Sequence, residues 1–392
     1  SLATIGGDLI LLYNDALVDI GGLSHLTTVG GKLDITTNNA LTTTAGLSSL
    51  SSVHDIVLAR NGSMESVDDL GNIRSLAGNL TVLDMPVKNI NGLGNLTNVG
   101  GAVWIDGTGL VTLAGLRSLT TIGGFLRIKD NSALVNIDDL RQLTTLAGYL
   151  NIANNGALTS IDGLGHLTTV ADYVLINGSA LVNLDGLGAL STIGGYLTIS
   201  DNLALVNIDG LGNLKALGAD LNITGNASLI HVNGLSGLTQ IHGIVAIKNN
   251  AALRNIDGLG NITNLSGNLI LENNPSLDNS SGIGGDLIIF DGDLTLDGSD
   301  PSAGLDRLRN VARVTGTLTI MGFPRLTNLN ALSPLISVGA LVIKNNAALE
   351  NIDAIGHLIT HGHRHIAFIA GHPSYDVEGD TGARLRAYMT AL

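Results

Sequence analysis

The stretch GGYLTISDNLALVNIDGLGNL, residues 194–214, decides the fold, because nearly the whole chain repeats it with variation. Alternation sets Leu197 and Ile199 on one side of a short strand and Tyr196, Thr198 and Ser200 on the other. Gly194 and Gly195 stand before the strand, at a corner that calls for positive φ or close backbone approach. Asn202 follows in a turn, where Asn tolerates left-handed geometry and its amide satisfies backbone groups. Leu205 with Ile208, and Leu211 with Leu214, supply further inward pairs. Short apolar segments joined by corners describe a roughly triangular coil with a dry interior.

The copying is regular. The first inward residue of the strand recurs at Leu9, Leu33, Ile56, Leu80, Val103, Leu126, Leu150, Val174, Leu197, Leu221, Val245, Leu269, Leu287, Leu318 and Leu341. Successive gaps are 23 or 24 residues, except for 18 and 31 on either side of Leu287, which together make 49, close to two coils. A fixed period of this size means a stacked repeat fold. A second column holds Asn14, Asn38, Asn61, Asn131, Asn155, Asn202, Asn226, Asn250, Asn274 and Asn346, each three residues before an apolar residue. In register they form an internal ladder of amides. Asp84 and Gly107 stand at about this place in two coils and interrupt it.

The pattern IGGxLxIxxNxxLxxLxGLxxLxxI resembles the receptor L-domain type of leucine-rich repeat. It is written here as TIGGFLRIKDNSALVNIDDLRQL (121–143) and TIGGYLTISDNLALVNIDGLGNL (192–214). The resemblance covers roughly residues 2–356 and implies an all-β fold, a right-handed single-stranded β-solenoid. About 15 or 16 coils of 23–24 residues are expected, with a length of roughly 70 Å at about 4.8 Å per coil. Animal receptor L domains carry disulfides and bind hormones; this chain has no Cys, so that role does not carry over. Cys-free tandem repeats of this kind look more like microbial surface proteins. The expected division is a repeat solenoid over 1–356, with an irregular insertion at 278–316, and a terminal strand and capping helix over 357–392.

Composition narrows the function classes. The chain has 392 residues, 52 of them Gly, which fits corners, and only six Pro, which argues against a disordered linker. Net charge is −14 with 13% charged residues, and no stripe gathers Lys or Arg, which excludes nucleic acid as the expected partner. No run of about 18 apolar residues offers a membrane span. No signal peptide or anchor is visible, and SLATIGGDL already reads as the end of a coil, so the N-terminus is expected to be a processing boundary. The open first coil is expected to be covered by more chain or another subunit. Absence of Cys fits a reducing cytoplasm or a microbial exterior that does without disulfides. Sequons at Asn79, Asn95, Asn177, Asn222 and Asn261 are expected by-products of the repeat's own Asn, Leu and Thr usage.

Two regions break the rule. DGDLTLDGSD, residues 291–300, places Asp291, Asp293 and Asp297 in an acidic stretch, readable as a solvent-facing insertion or a calcium loop. The EF-hand spacing fails, because Ser302 stands where Glu is needed. AGLDRLRNVAR (303–313) suggests a short helical turn. In the tail, HLITHGHRHIAFIAG followed by RLRAYMTAL resembles a fragment of the ligand domain of LacI-type regulators, over 354–392. A last strand and a capping helix are the alternative, and compatible, reading. His361, His363 and His365 alternate and would share one strand face, a weak zinc candidate without a visible fourth ligand.

No catalytic constellation is visible: no nucleophile elbow, no HExxH, no Walker loop and no paired carboxylates on the outward face. No cofactor is expected. The remaining classes are a structural or adhesive surface protein, assembling into a filament or layer; a glycan- or protein-recognition module; and an ice-binding protein, since Thr120–Thr121, Thr144–Thr145 and Thr168–Thr169 align. The residues that single out a surface are Phe125, Tyr149, Tyr173 and Tyr196, one before the inward residue in four successive coils, with Trp104 beside them. The chain has only four Phe and six Tyr, so such a column is a binding stripe or a stabilising ladder. Self-association, or a protein or glycan partner, is expected to use it.

Overall fold

A computed structural model describes residues 2–262, 264–265, 267, 269–277, 288–290, 293–298 and 311–352. They form a β-solenoid built on one parallel sheet, each coil pairing with the next. The coil of 192–214 shows the unit. A two-residue strand, Thr192–Ile193, turns a corner into the strand Leu197–Ser200, and a 3-10 turn follows at Asp209–Leu211. Leu197, Ile199, Leu205, Ile208, Leu211 and Leu214 are all fully buried, as their spacing predicts.

The glycines answer to crowding. A Cβ on Gly194 would lie 2.0 Å from the Ala171 carbonyl oxygen, and one on Gly210 would lie 1.9 Å from that of Leu184. Stacked coils therefore approach too closely there for any side chain. The left-handed residue of the turn is Asp201 (φ 56°), not Asn202 as the sequence suggested.

Asn202 is spared for the interior. Its backbone N–H donates to Oδ1 of Asn226 at 3.1 Å, and its Nδ2 donates to the carbonyls of Ile176 and Ser200, both at 3.0 Å. Asn226 repeats this toward Asn250, and Asn250 toward Asn274. From Asn202 to Asn274 each ladder step closes a buried donor onto a buried acceptor, which a dry interior requires. The interruptions sit one residue later than Asp84 and Gly107, which instead take positive φ. Met85 approaches the Asn61 amide through its sulfur, and Thr108 sends both its N–H and its hydroxyl to Asn131 Oδ1.

Register carries the stacking from Leu9 through Leu33, Ile56, Leu80, Val103, Leu126 and Leu150 to Val174, and on through Leu197, Leu221, Val245 and Leu269. The next member is Leu294, then Leu318 and Leu341. This corrects the sequence reading, which gave the place to Leu287, outside the described residues. Counted to Leu294, the gaps of 18 and 31 become 25 and 24. Leu294–Asp297 is thus a coil strand rather than part of an acidic loop, with Leu294 and Leu296 buried. Ile288–Phe290 fills the short-strand position, pairing Ile289 with Asn264. Residues 311–313, expected in a helical turn, begin the strand Val311–Met321. The tail from 353, with its expected strand, capping helix and LacI-like similarity, lies outside the described residues.

Two substitutions test this account. Leu197→Asp puts an unpaired charge into the dry interior and is expected to unfold the chain. Asn226→Ala strands the Asn202 N–H, at a cost of about 1–3 kcal/mol, and should lower thermal stability accordingly. A folded Leu197→Asp variant, or an Asn226→Ala variant melting with wild type, would contradict the column assignments.

Candidate functional site

In-register pairing forces residues one position before the inward column to lie over one another. Phe125 stacks on Tyr149 with ring centroids 4.3 Å apart and planes 5° from parallel. Tyr149 stacks on Tyr173 at 4.5 Å, and Tyr173 on Tyr196 at 4.6 Å. These separations match the strand spacing of about 4.8 Å, so the sheet sets the pile of rings. Trp104 closes one end edge-on, at 6.4 Å and 65° to Phe125. All five residues are half-buried.

The same position is filled differently elsewhere. Asp8, Asp55 and Asp220 each use Oδ1 to accept the backbone N–H of the residue one coil on, at 2.7, 2.6 and 2.7 Å. Asn79 does so toward Ala102 at 2.8 Å. The ring pile therefore ends at Asp220 because the position reverts to a side chain that ties one coil to the next.

A polar group adjoins the rings. Register places Trp104, Arg127 and Asn151 side by side on three strands, with Asp106 two residues beyond Trp104. Arg127 donates to Asp106 Oδ2 from Nε (2.8 Å) and Nη2 (2.7 Å), and its guanidinium lies 5.0 Å from the centre of the Trp104 ring. Burial works against the Arg127 charge, but the Asp106 carboxylate and the Tyr149 hydroxyl outweigh it and hold its pKa above the ordinary value. Trp104 Nε1, Asp106 Oδ1 and Asn151 Oδ1 are buried with no hydrogen-bond partner. Asp106 escaped the sequence reading because it lies in a different outward column. Only the register, which brings it diagonally to Arg127, marks it.

The other candidates disperse. Asp293 occupies the ring-or-carboxylate position, and its Oδ1 accepts the Thr317 N–H like its counterparts. Asp297 ends the strand Leu294–Asp297. Asp291, His361, His363 and His365 lie outside the described residues. Among the described residues no group of three or more His, Cys, Asp or Glu could hold a metal ion. Part of the Thr column is engaged within the fold: Thr120 and Thr168 hydroxyls donate to the carbonyls of Thr97 and Thr144, at 2.9 and 3.1 Å. Among the described residues no helix is long and apolar enough to cross a membrane.

No protein-family model matches the chain. No curated protein sequence matches it either. Among solved structures it is similar to an internalin from Listeria monocytogenes, at 16% identity and TM-score 0.40, over 84% of this chain and 86% of that one. It is also similar to a leucine-rich repeat protein of Leptospira interrogans, at 14% identity and TM-score 0.31, over 92% and 95% of the two chains. A plant peptide hormone receptor in complex with RGF2 matches at 13% identity and TM-score 0.14, over 95% and 96%.

The pile of rings has a titration signature. Burial, followed by the neighbouring Tyr149, pushes the Tyr173 phenol up to about 12, and burial with the Asp172 charge raises Tyr196. The folded chain then holds a proton that the unfolded chain has lost between about pH 10 and 12, so stability falls as pH rises through that window. Spectrophotometric titration should show a late phenol that disappears in Tyr173→Phe, together with a smaller alkaline loss of melting temperature. Ordinary titration of every phenol in the wild type would contradict the stacked arrangement.

Proposed function

We propose that the chain is a non-catalytic structural or adhesive repeat protein of the extracellular or cell-surface kind. Its recognition surface is the outward face of the long strands, centred on Trp104, Phe125, Tyr149, Tyr173 and Tyr196. The observation that carries this is the concentration of half-buried aromatics into one row beside Arg127, Asp106 and Asn151, on a chain that is only 3% aromatic. Aromatic and Arg side chains are the residues that anchor interfaces.

The stacking favours a protein partner over a glycan. Tyr149 and Tyr173 each have both ring faces covered by neighbours, so sugar rings have no free face to stack on. Ring edges and hydroxyls remain for a partner whose side chains pack against them. The inward-turned hydroxyls of Thr120 and Thr168 speak against ice binding.

The test is retention of chain-coated beads on immobilised proteins and on polysaccharides, for wild type and for Tyr149→Ser with Tyr173→Ser. Retention on protein that the double variant loses, at a melting temperature close to wild type, supports the proposal. Retention on polysaccharide alone moves the assignment to a glycan. Undiminished retention with a lower melting temperature leaves the rings a stabilising ladder.

A further inference from the structure

A second row of side chains, exposed except at the half-buried Val206, runs along the coils. Val111, Val135, Thr159, Val182, Val206 and Ile230 each follow the fully buried leucine after the turn. Val111 and Val182 are 44% and 47% exposed, against an interior where aliphatic side chains are almost wholly covered. Their backbones are already tied coil to coil: Val135 N–H donates to the Val111 carbonyl at 3.1 Å, Thr159 to Val135 at 3.0 Å, and Ile230 to Val206 at 2.9 Å. The row therefore offers side chains and no free strand edge. Beside it, two residues earlier in each coil, stand Gly109, Ala133, Ala157, Ala180, Ala204 and Ser228. Small neighbours leave the aliphatic row standing proud on a flat ground. A largely exposed strip of this kind, aliphatic except at Thr159, marks an interaction site.

The ends of the row identify the partner. Continuing toward the N-terminus, the same position holds Lys88 and then Glu65; toward the C-terminus it holds Arg254. Neither Glu65 nor Arg254 has an ion-pair partner among the described residues. Thr159 is the midpoint, four coils from Glu65 and four from Arg254. A two-fold axis through Thr159 sets Val135 against Val182 and Val111 against Val206 of a second copy. It also brings Glu65 opposite Arg254 at both ends. Lys88 then faces Ile230, where its methylene stem covers apolar surface while its ammonium stays in water. Parallel pairing would instead oppose Glu65 to Glu65 and Arg254 to Arg254. Self-complementarity under a two-fold is what an isologous dimer requires.

We propose that this aliphatic row is the interface of an antiparallel two-fold dimer of the chain, held in register by paired Glu65 and Arg254. The dimer is separate from the aromatic surface, and its narrow strip places it among small, weak interfaces.

Sedimentation velocity of the full chain over a concentration series tests it. Wild type should pass from monomer to dimer as concentration rises. Val135→Lys with Val182→Lys should stay monomeric at the highest concentration with melting temperature unchanged. Glu65→Arg opposes like charges at both ends and should weaken dimerisation roughly three- to tenfold. Adding Arg254→Glu should restore it. Tyr149→Ser with Tyr173→Ser should leave the dimer intact. A wild type monomeric at every concentration, a dimer indifferent to the paired lysines, a charge swap that fails to rescue, or a dimer lost with the tyrosines overturns the proposal.

Discussion

Everything in this molecule depends on in-register parallel stacking. When Leu126 pairs with Leu150 and Leu150 with Val174, every side chain lies over its counterpart one coil away. A column must therefore be filled by residues that tolerate their own kind at a spacing of about 4.8 Å. Aliphatic residues meet that condition in the interior. Asn meets it as the rare polar residue that donates and accepts, so a column of it satisfies itself: Asn202, Asn226 and Asn250 each give both the backbone N–H and the side-chain Nδ2 to the next amide oxygen. Asp in the same buried column would set acceptor against acceptor. Low charge, at 13% of residues, follows from the same constraint.

The period, the inward columns and the Asn ladder were legible because they are the parts that stacking makes repetitive. Errors fell where two segments fit one template. IGGDLIIF (283–290) matches the corner-and-strand pattern by eye better than DGDLTLDG (291–298), and the first reading put Leu287 in the column. Stacking needs nearly equal coil lengths, and Leu294 supplies them. The turn was misread by one residue for a related reason. Asn suits both left-handed backbone and buried amide ladders, and sequence cannot say which of Asp201 and Asn202 does which. Burial separates them: Asn202 is fully enclosed, so its neighbour takes the strained φ.

The candidate surface was legible in part. Repetition at one offset exposed the column of Phe125, Tyr149, Tyr173 and Tyr196. Its meaning was not, since a row of aromatics reads alike whether ring faces or ring edges point outward. The 4.3–4.6 Å stacking decides that, and it removes the faces from use. Asp106 and the aliphatic row from Val111 to Ile230 were missed for a different reason. Neither is unusual in composition; they acquire meaning only from what the register sets beside them.

Because each coil touches only its neighbours, stability is close to a sum of local terms, and outward columns are free to change over a few coils without disturbing the interior. The position before the inward residue shows this freedom. It is Asp8, Asp55, Asn79, Asp220 or Asp293 where the side chain caps the next coil, and Phe125 to Tyr196 where rings pile instead. Either choice is compatible with the stack, so the interior does not dictate which is used. The aliphatic row varies in the same way, running from Glu65 and Lys88 through valines to Arg254 over buried residues that stay aliphatic throughout. Both variations concentrate in the middle coils and in different columns of the coil. A partner on the aromatic side and a second copy on the aliphatic side would thus be held by the same coils without competing for surface.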